Sequence, residues 1–142
     1  MEEEAYRRGL KLFRQMAGPA AEQIRRRWQA LAPDFERYVL GFLAGDIWTR
    51  PVLDLRIRSL ITIAALAGSG RQQGLELNIR MALNNGATRD EIVETLLHLA
   101  PYIGFPASWD ALTLAARVFG QPDVPRERPR KGSRKRRGRA RR

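Results

Sequence analysis

A chain of 142 residues is the size of one domain. It has a formal net charge of +11 and no cysteine, which excludes a disulfide framework, a thiolate metal site and thiol chemistry. The longest apolar stretch, Leu60 to Ala67, is broken by Thr62 and falls far short of the roughly 20 residues a bilayer requires. The opening Met1-Glu2-Glu3-Glu4 has the wrong charge for a secretory signal, so a cytoplasmic protein without membrane contact is expected.

The charge is unevenly placed. Residues 120–142 hold 11 Lys+Arg against 2 acids, and residues 1–119 hold 15 against 13. The body is nearly neutral with ordinary apolar content, enough for a core. The expected division is a folded body, 1–119, and a disordered basic tail, 120–142, whose Pro, Gly, Ser and Arg cannot form a core. A body this small gains from burying further surface by oligomerisation.

Every segment of the body reads as helix. Tyr6, Leu10 and Phe13 recur at spacings of four and three until Gly18-Pro19 ends the run. Ala20 to Ala32 follows, with Ile24, Trp28 and Leu31 on one face. Pro33 opens a helix striped by Phe35, Tyr38, Val39, Phe42 and Leu43, with Gly45 just beyond. Ile47 to Pro51 reads as a loop, and Asp54 as the N-cap of a helix from Leu55 to about Ala67. That helix is apolar on most sides, which predicts a central position. Gly68 and Gly70 break the chain before a helix from Gln72 to Leu83, stopped by Asn84-Asn85-Gly86. Thr88 and Glu91 fit a capping box opening a helix through Ile92, Leu96 and Leu99. Pro101 should kink or end it, and Pro106 suits the first turn of a last helix to Phe119. The fold class is all-α.

Chemistry-bearing residues are few. With a single histidine, His98, and no cysteine, no His-rich or thiolate metal site is expected. Gly68-Ser69-Gly70 lacks the lysine and spacing of a phosphate loop. Glu91, Glu94 and His98 share one helical face, and Tyr102 lies one turn beyond. His98 reads either as a structural hydrogen-bonding residue or as the one side chain whose ordinary pKa suits proton transfer near neutrality. Tyr102 reads as a packed aromatic or as its neighbour in a site. Arg50, Arg56 and Arg58 form a second group around the loop into the Leu55 helix. They are either solvated or ion-paired, or one of them faces a pocket and grips a carboxylate bidentately.

Taken in order, Ile47-Trp48-Thr49-Arg50-Pro51, Leu53-Asp54, Arg58-Ser59-Leu60-Ile61-Thr62, Asn84-Asn85-Gly86, Asp90-Glu91-Ile92, and Tyr102, Gly104, Pro106 and Ala107 resemble the carboxymuconolactone decarboxylase family. The resemblance runs from about Leu31 to Phe119. It implies an alkylhydroperoxidase D-like helical subunit, assembled as a hexamer of three dimers. It also implies cofactor-independent decarboxylation of 4-carboxymuconolactone, or a related small lactone acid, in aromatic-compound breakdown. The implied site has His98, Tyr102 and Ser59 in catalysis and Trp48, Arg50, Arg58, Asn78 and Arg80 around the substrate. Thiol peroxidase relatives in the superfamily use a cysteine pair that this chain lacks, and Ser59 stands where they carry a relay glutamate. Asn78 stands where the family segment usually has histidine, and asparagine does not titrate. A relative that has lost this chemistry and binds another metabolite is therefore the second reading. The third is a nucleic-acid-associated protein. Its tail would contact polyanions without sequence preference, because it carries no aromatic residue for base stacking.

Overall fold

The computed structural model describes residues 1–120, so the expectations for the tail fall outside the described residues. Those residues are helical almost throughout: α1 (Glu2–Ala17), α2 (Ala21–Leu31), α3 (Pro33–Tyr38), α4 (Leu55–Gly68), α5 (Gln72–Asn84), α6 (Arg89–Ile103) and α7 (Phe105–Phe119). A 3-10 turn, Gly18–Ala20, joins α1 to α2. From Tyr38 the chain continues without a break as a π-helical segment, Val39–Ile47. No described helix is long and apolar enough to cross a membrane.

The local signals act where the sequence places them. The Asp54 carboxylate accepts the Ile57 N–H at 2.8 Å and opens α4. Thr88 and Glu91 close a reciprocal capping box at the start of α6. Gly86, at φ 94°, ends α5: the Ala87 N–H reaches back to the Ala82 carbonyl and the Gly86 N–H to Leu83. This paired pattern needs a left-handed residue, which glycine adopts without steric cost.

Two expectations about the course of the helices are corrected. Pro101 does not end α6, which runs two residues further to Ile103. It lies in the last turn, where the proline costs one hydrogen bond and its neighbours still pack: Ala100 is buried and Ile103 joins the core. The Phe35–Leu43 stripe does not follow one α-helix. The π segment widens the turn, so Leu40, Gly41, Ala44 and Gly45 are buried while Tyr38, Phe42 and Leu43 stay exposed.

Two cores result. Ile63, Leu75, Ile79, Ile92, Leu96 and Leu114 from α4–α7 make one. Phe13, Met16, Leu40, Trp48 and Met81 make the other, with α1 laid along the π segment. That pairing is close enough that a Cβ on Gly9 would overlap the Leu40 carbonyl, and one on Gly45 would overlap the Ala5 carbonyl. A polar knot ties the same region together. Buried Glu36 accepts from the Tyr6 hydroxyl at 2.8 Å and from the Arg25 guanidinium at 3.1 Å. Arg25 also donates to Tyr6 and Glu22. Burial, reinforced by the Glu36 hydrogen bond, pushes the Tyr6 hydroxyl above its usual pKa. The α4 helix is less enclosed than its composition predicts. Ser59, Ile63 and Ala67 are buried, whereas Ile61 is 53% exposed.

Candidate functional site

Helices α4 and α6 run side by side and leave a groove of about 490 Å³ between them. Leu60, Ile61 and Ala64 form its α4 wall, and Glu91, Glu94, Thr95, His98 and Leu99 its α6 wall. Helical spacing aligns Glu91, Glu94 and His98 along the groove, because residues three and four apart share a face. The Tyr102 ring lies 5.6 Å from the His98 ring, tilted by 36°, at the open end of the row.

Glu91 is the fixed point of this wall. One carboxylate oxygen accepts the Thr88 N–H at 3.1 Å, and the other pairs with the Arg56 guanidinium. The Thr88 N–H is the main reason that the Glu91 carboxyl lies below its ordinary value of 4.5, and Arg56 adds to the effect. Arg56 is thereby anchored on the wall that His98 shares. The groove has an apolar α4 wall and, on α6, two carboxylates and one imidazole, with the Tyr102 ring beside His98 and the Arg56 guanidinium tied to Glu91. It can hold a small organic acid and move a proton.

The structure distributes the remaining sequence-derived site residues elsewhere. Arg58 clamps the preceding loop, donating to the Leu53 carbonyl at 3.0 Å and to the Arg50 carbonyl at 3.0 Å. The Arg50 residue itself is exposed. Ser59 is 1% exposed, donates to the Leu55 carbonyl at 2.8 Å and accepts from the Asn85 amide at 2.9 Å. Both ends of its hydroxyl are used in tying α4 to the end of α5. Trp48 is buried in the core around α1 and does not line the groove. Asn78 donates to the Gly74 carbonyl of its own helix at 2.8 Å, and Arg80 pairs with Glu76 at 3.2 Å. The structure therefore groups His98 with Tyr102 and separates them from Trp48, Ser59 and the α5 pair. The Arg56–Glu91 contact spans 35 positions in sequence, and no local pattern announces it. Among the described residues, no three His, Cys, Asp or Glu side chains converge as a metal site.

Comparison with known proteins follows the same stretch of chain. The carboxymuconolactone decarboxylase family model matches residues 33–117. A 4-carboxymuconolactone decarboxylase of Acinetobacter baylyi is 36% identical over 121 residues, covering 83% of this chain and 89% of its own. An uncharacterised 15.0 kDa protein of Paracoccus denitrificans is 32% identical over 126 residues, covering 80% of this chain and 94% of its own. A nitrosuccinic acid decarboxylase of Metarhizium robertsii is 39% identical over 75 residues, 53% of this chain and 52% of its own. With an all-α fold and a family match over most of its helices, the chain belongs to the carboxymuconolactone decarboxylase family.

Proposed function

We propose that the protein is a cofactor-independent decarboxylase of 4-carboxymuconolactone or a closely related lactone acid, working in the groove between α4 and α6. The observation that carries this reading is the position of the chain's single histidine, on the same α6 wall of the groove as Glu91, which holds Arg56. The relatives named as decarboxylases act on small organic acids, which fits a groove of this size.

The chemistry follows from the substrate. Its departing carboxylate sits on a saturated ring carbon next to the alkene that is conjugated to the lactone carbonyl. Breaking the C–C bond sends that electron pair through the alkene onto the carbonyl oxygen and releases carbon dioxide. A proton then adds to the ring carbon next to the carbonyl, which restores the carbonyl and leaves the alkene shifted by one position. The apolar α4 wall disfavours the charged carboxylate more than the neutral gas. Arg56 holds the substrate's other carboxylate, which supplies positioning. The Tyr102 hydroxyl, on a ring centred 5.6 Å from that of His98, is the donor for the developing oxyanion. His98 delivers the proton.

Turnover of the lactone by the purified chain tests the reading. His98→Gln should lower kcat by about 10²-fold, the scale of general acid catalysis. Arg56→Gln should mainly raise KM, because the guanidinium grips substrate and transition state alike. Unchanged kinetics in the His98 variant return that residue to a structural role. The second reading rests on Asn78, whose amide is spent within its own helix. An inactive wild type with an active Asn78→His variant would favour it.

Exposed apolar side chains on α6 and α7 also support assembly of copies. Tyr102, Phe105 and Trp109 are 76%, 69% and 69% exposed, and Leu97 is half-exposed. Large exposed apolar side chains of this kind suit an interaction surface. A homo-oligomer, with a hexamer as the family-implied form, should appear by light scattering, and a monomer at micromolar concentration rejects it.

A further inference from the structure

We propose that the basic C-terminal segment, residues 121–142, docks back onto the same molecule along the acidic edge of the α4/α6 groove. The described chain ends at a telling place. Phe119 packs under the Arg89 guanidinium, 5.6 Å from it to the ring centroid, so Gly120 emerges beside the first residue of α6. That helix is the groove wall, and its leading face is acidic: Asp90, Glu91 and Glu94 within its first six residues.

The charges there are unevenly matched. Glu91 has Arg56. Asp90 and Glu94 are exposed and form no salt bridge among the described residues. They stand four apart on one helix face, where like charges repel. By contrast, the acids at the start of α1 already have cations: Glu2, Glu3 and Glu4 pair with Arg37, Arg7 and Arg8. Within the described body, the α6 edge is where added positive charge meets unspent acids and an apolar groove together.

The segment has the charge and the reach. It carries 11 Lys+Arg against 2 acids. Its first cation, Arg126, is six residues beyond Gly120, a span of up to about 20 Å when extended. Along α6, Glu94 lies about 7.5 Å and His98 about 13.5 Å from Arg89 at 1.5 Å per residue. Any one surface ion pair contributes little. A segment tethered beside its own site, however, meets it at an effective concentration in the millimolar range, and many cations exchange over few acids. This inference goes beyond the proposed activity and does not depend on it.

The lysines make the test specific. The chain has lysine only at positions 11, 131 and 135, so two of its three lysines lie in the segment. The full chain, stripped of nucleic acid, is treated with a zero-length carbodiimide and its cross-linked peptides are mapped. Lys131 or Lys135 should couple to Asp90 or Glu94. The yield should fall about tenfold in about 1 M salt, where screening acts within about 3 Å. It should fall similarly in the Asp90→Asn/Glu94→Gln double variant at low salt. Both positions are exposed, so that variant is expected to fold, and circular dichroism verifies it. Coupling spread evenly over Asp34, Asp46 and Asp110, or none at all, overturns the proposal. Coupling found only between light and heavy isotope-labelled copies also overturns it, because the occupant is then a neighbour's segment. Coupling that appears only after duplex nucleic acid is added would assign the segment to polyanions instead.

Discussion

The regions before and after Pro51 reach a packed interior by different routes. From α4 onward, the core is aliphatic and the helices begin and end on local signals. Ile63, Leu75, Ile79, Ile92 and Leu96 are fully buried, and Asp54, Thr88 and Gly86 set the boundaries. Before it, α1 lies against a π-helical segment through two glycines, and a buried carboxylate, a guanidinium and a phenol hold α1, α2 and α3 together. The first design tolerates changes in size at a graded cost. The second depends on close backbone contact and on satisfied buried charge, both of which fail abruptly.

The largest expected effect breaks the glycine contact. Gly9→Ala places a methyl group on the Leu40 carbonyl, which is backbone and cannot rotate away. The two segments must separate, at an expected cost above about 4 kcal/mol, in the far tail of single substitutions. Gly41→Ala is the control, since a Cβ there meets nothing within 4 Å. It should change stability by no more than about 1 kcal/mol, the usual helix preference of alanine over glycine. Urea unfolding at fixed protein concentration measures both. A Gly9→Ala midpoint equal to that of the wild type contradicts the close packing.

The next effect is the polar knot. Arg25→Met leaves Glu36 buried with only neutral donors, Tyr6 and Gln29, and should cost about 3 kcal/mol or more. Glu36→Met should cost less, because Arg25 keeps the Glu22 carboxylate as a partner. Replacing both should cost less than the sum of the two by at least about 1 kcal/mol, because the stranded charge disappears. Leu96→Ala, in the other core, should cost about 2–5 kcal/mol by cavity formation and add to Arg25→Met without coupling. Strict additivity of the Arg25 and Glu36 changes would mean that the ion pair contributes nothing of its own.

The same division separates what the sequence made legible. Helix ends from Asp54 onward were readable because their causes lie within four residues. A capping box, a left-handed glycine and a proline in the first turn each act on adjacent backbone. Pro101 lies within the last turn and leaves two more helical residues after it, because a proline that close to a helix end removes only one hydrogen bond. The π segment is not readable from the sequence, since the backbone it seats against lies far away in the chain, with Gly45 against Ala5, 40 positions apart. At the candidate site, the shared face of Glu91, Glu94 and His98 was plain from spacing alone. The role of Arg56 was not, because its partner sits on another helix. Arg58 and Ser59 look like site residues as types, yet their hydrogen bonds go to the loop, to α4 and to the end of α5.

The smallest effect sharpens the comparison at the start of α6. Thr88→Ala removes the hydroxyl that accepts the Glu91 N–H at 3.1 Å and should cost about 1 kcal/mol, a typical cap. The acid side of the same box gives a pH signature. The folded Glu91 carboxyl lies below 4.5, held down first by the Thr88 N–H and then by the Thr88 hydroxyl contact and Arg56. Its ionised form is therefore favoured by folding, and that contribution is complete above the ordinary value. It is lost as pH falls from about 4.5 through the lower folded value, where both states take up the proton. Glu91→Gln cannot titrate. The stability difference between wild type and Glu91→Gln should be greatest at neutral pH and shrink steadily below about pH 4.5. Stability measured from pH 7 to pH 3 for both chains tests this, with Thr88→Ala beside them. A gap that stays constant across that window would mean that Glu91 acts through packing alone, and that neither the Thr88 cap nor the Arg56 pair depends on its charge.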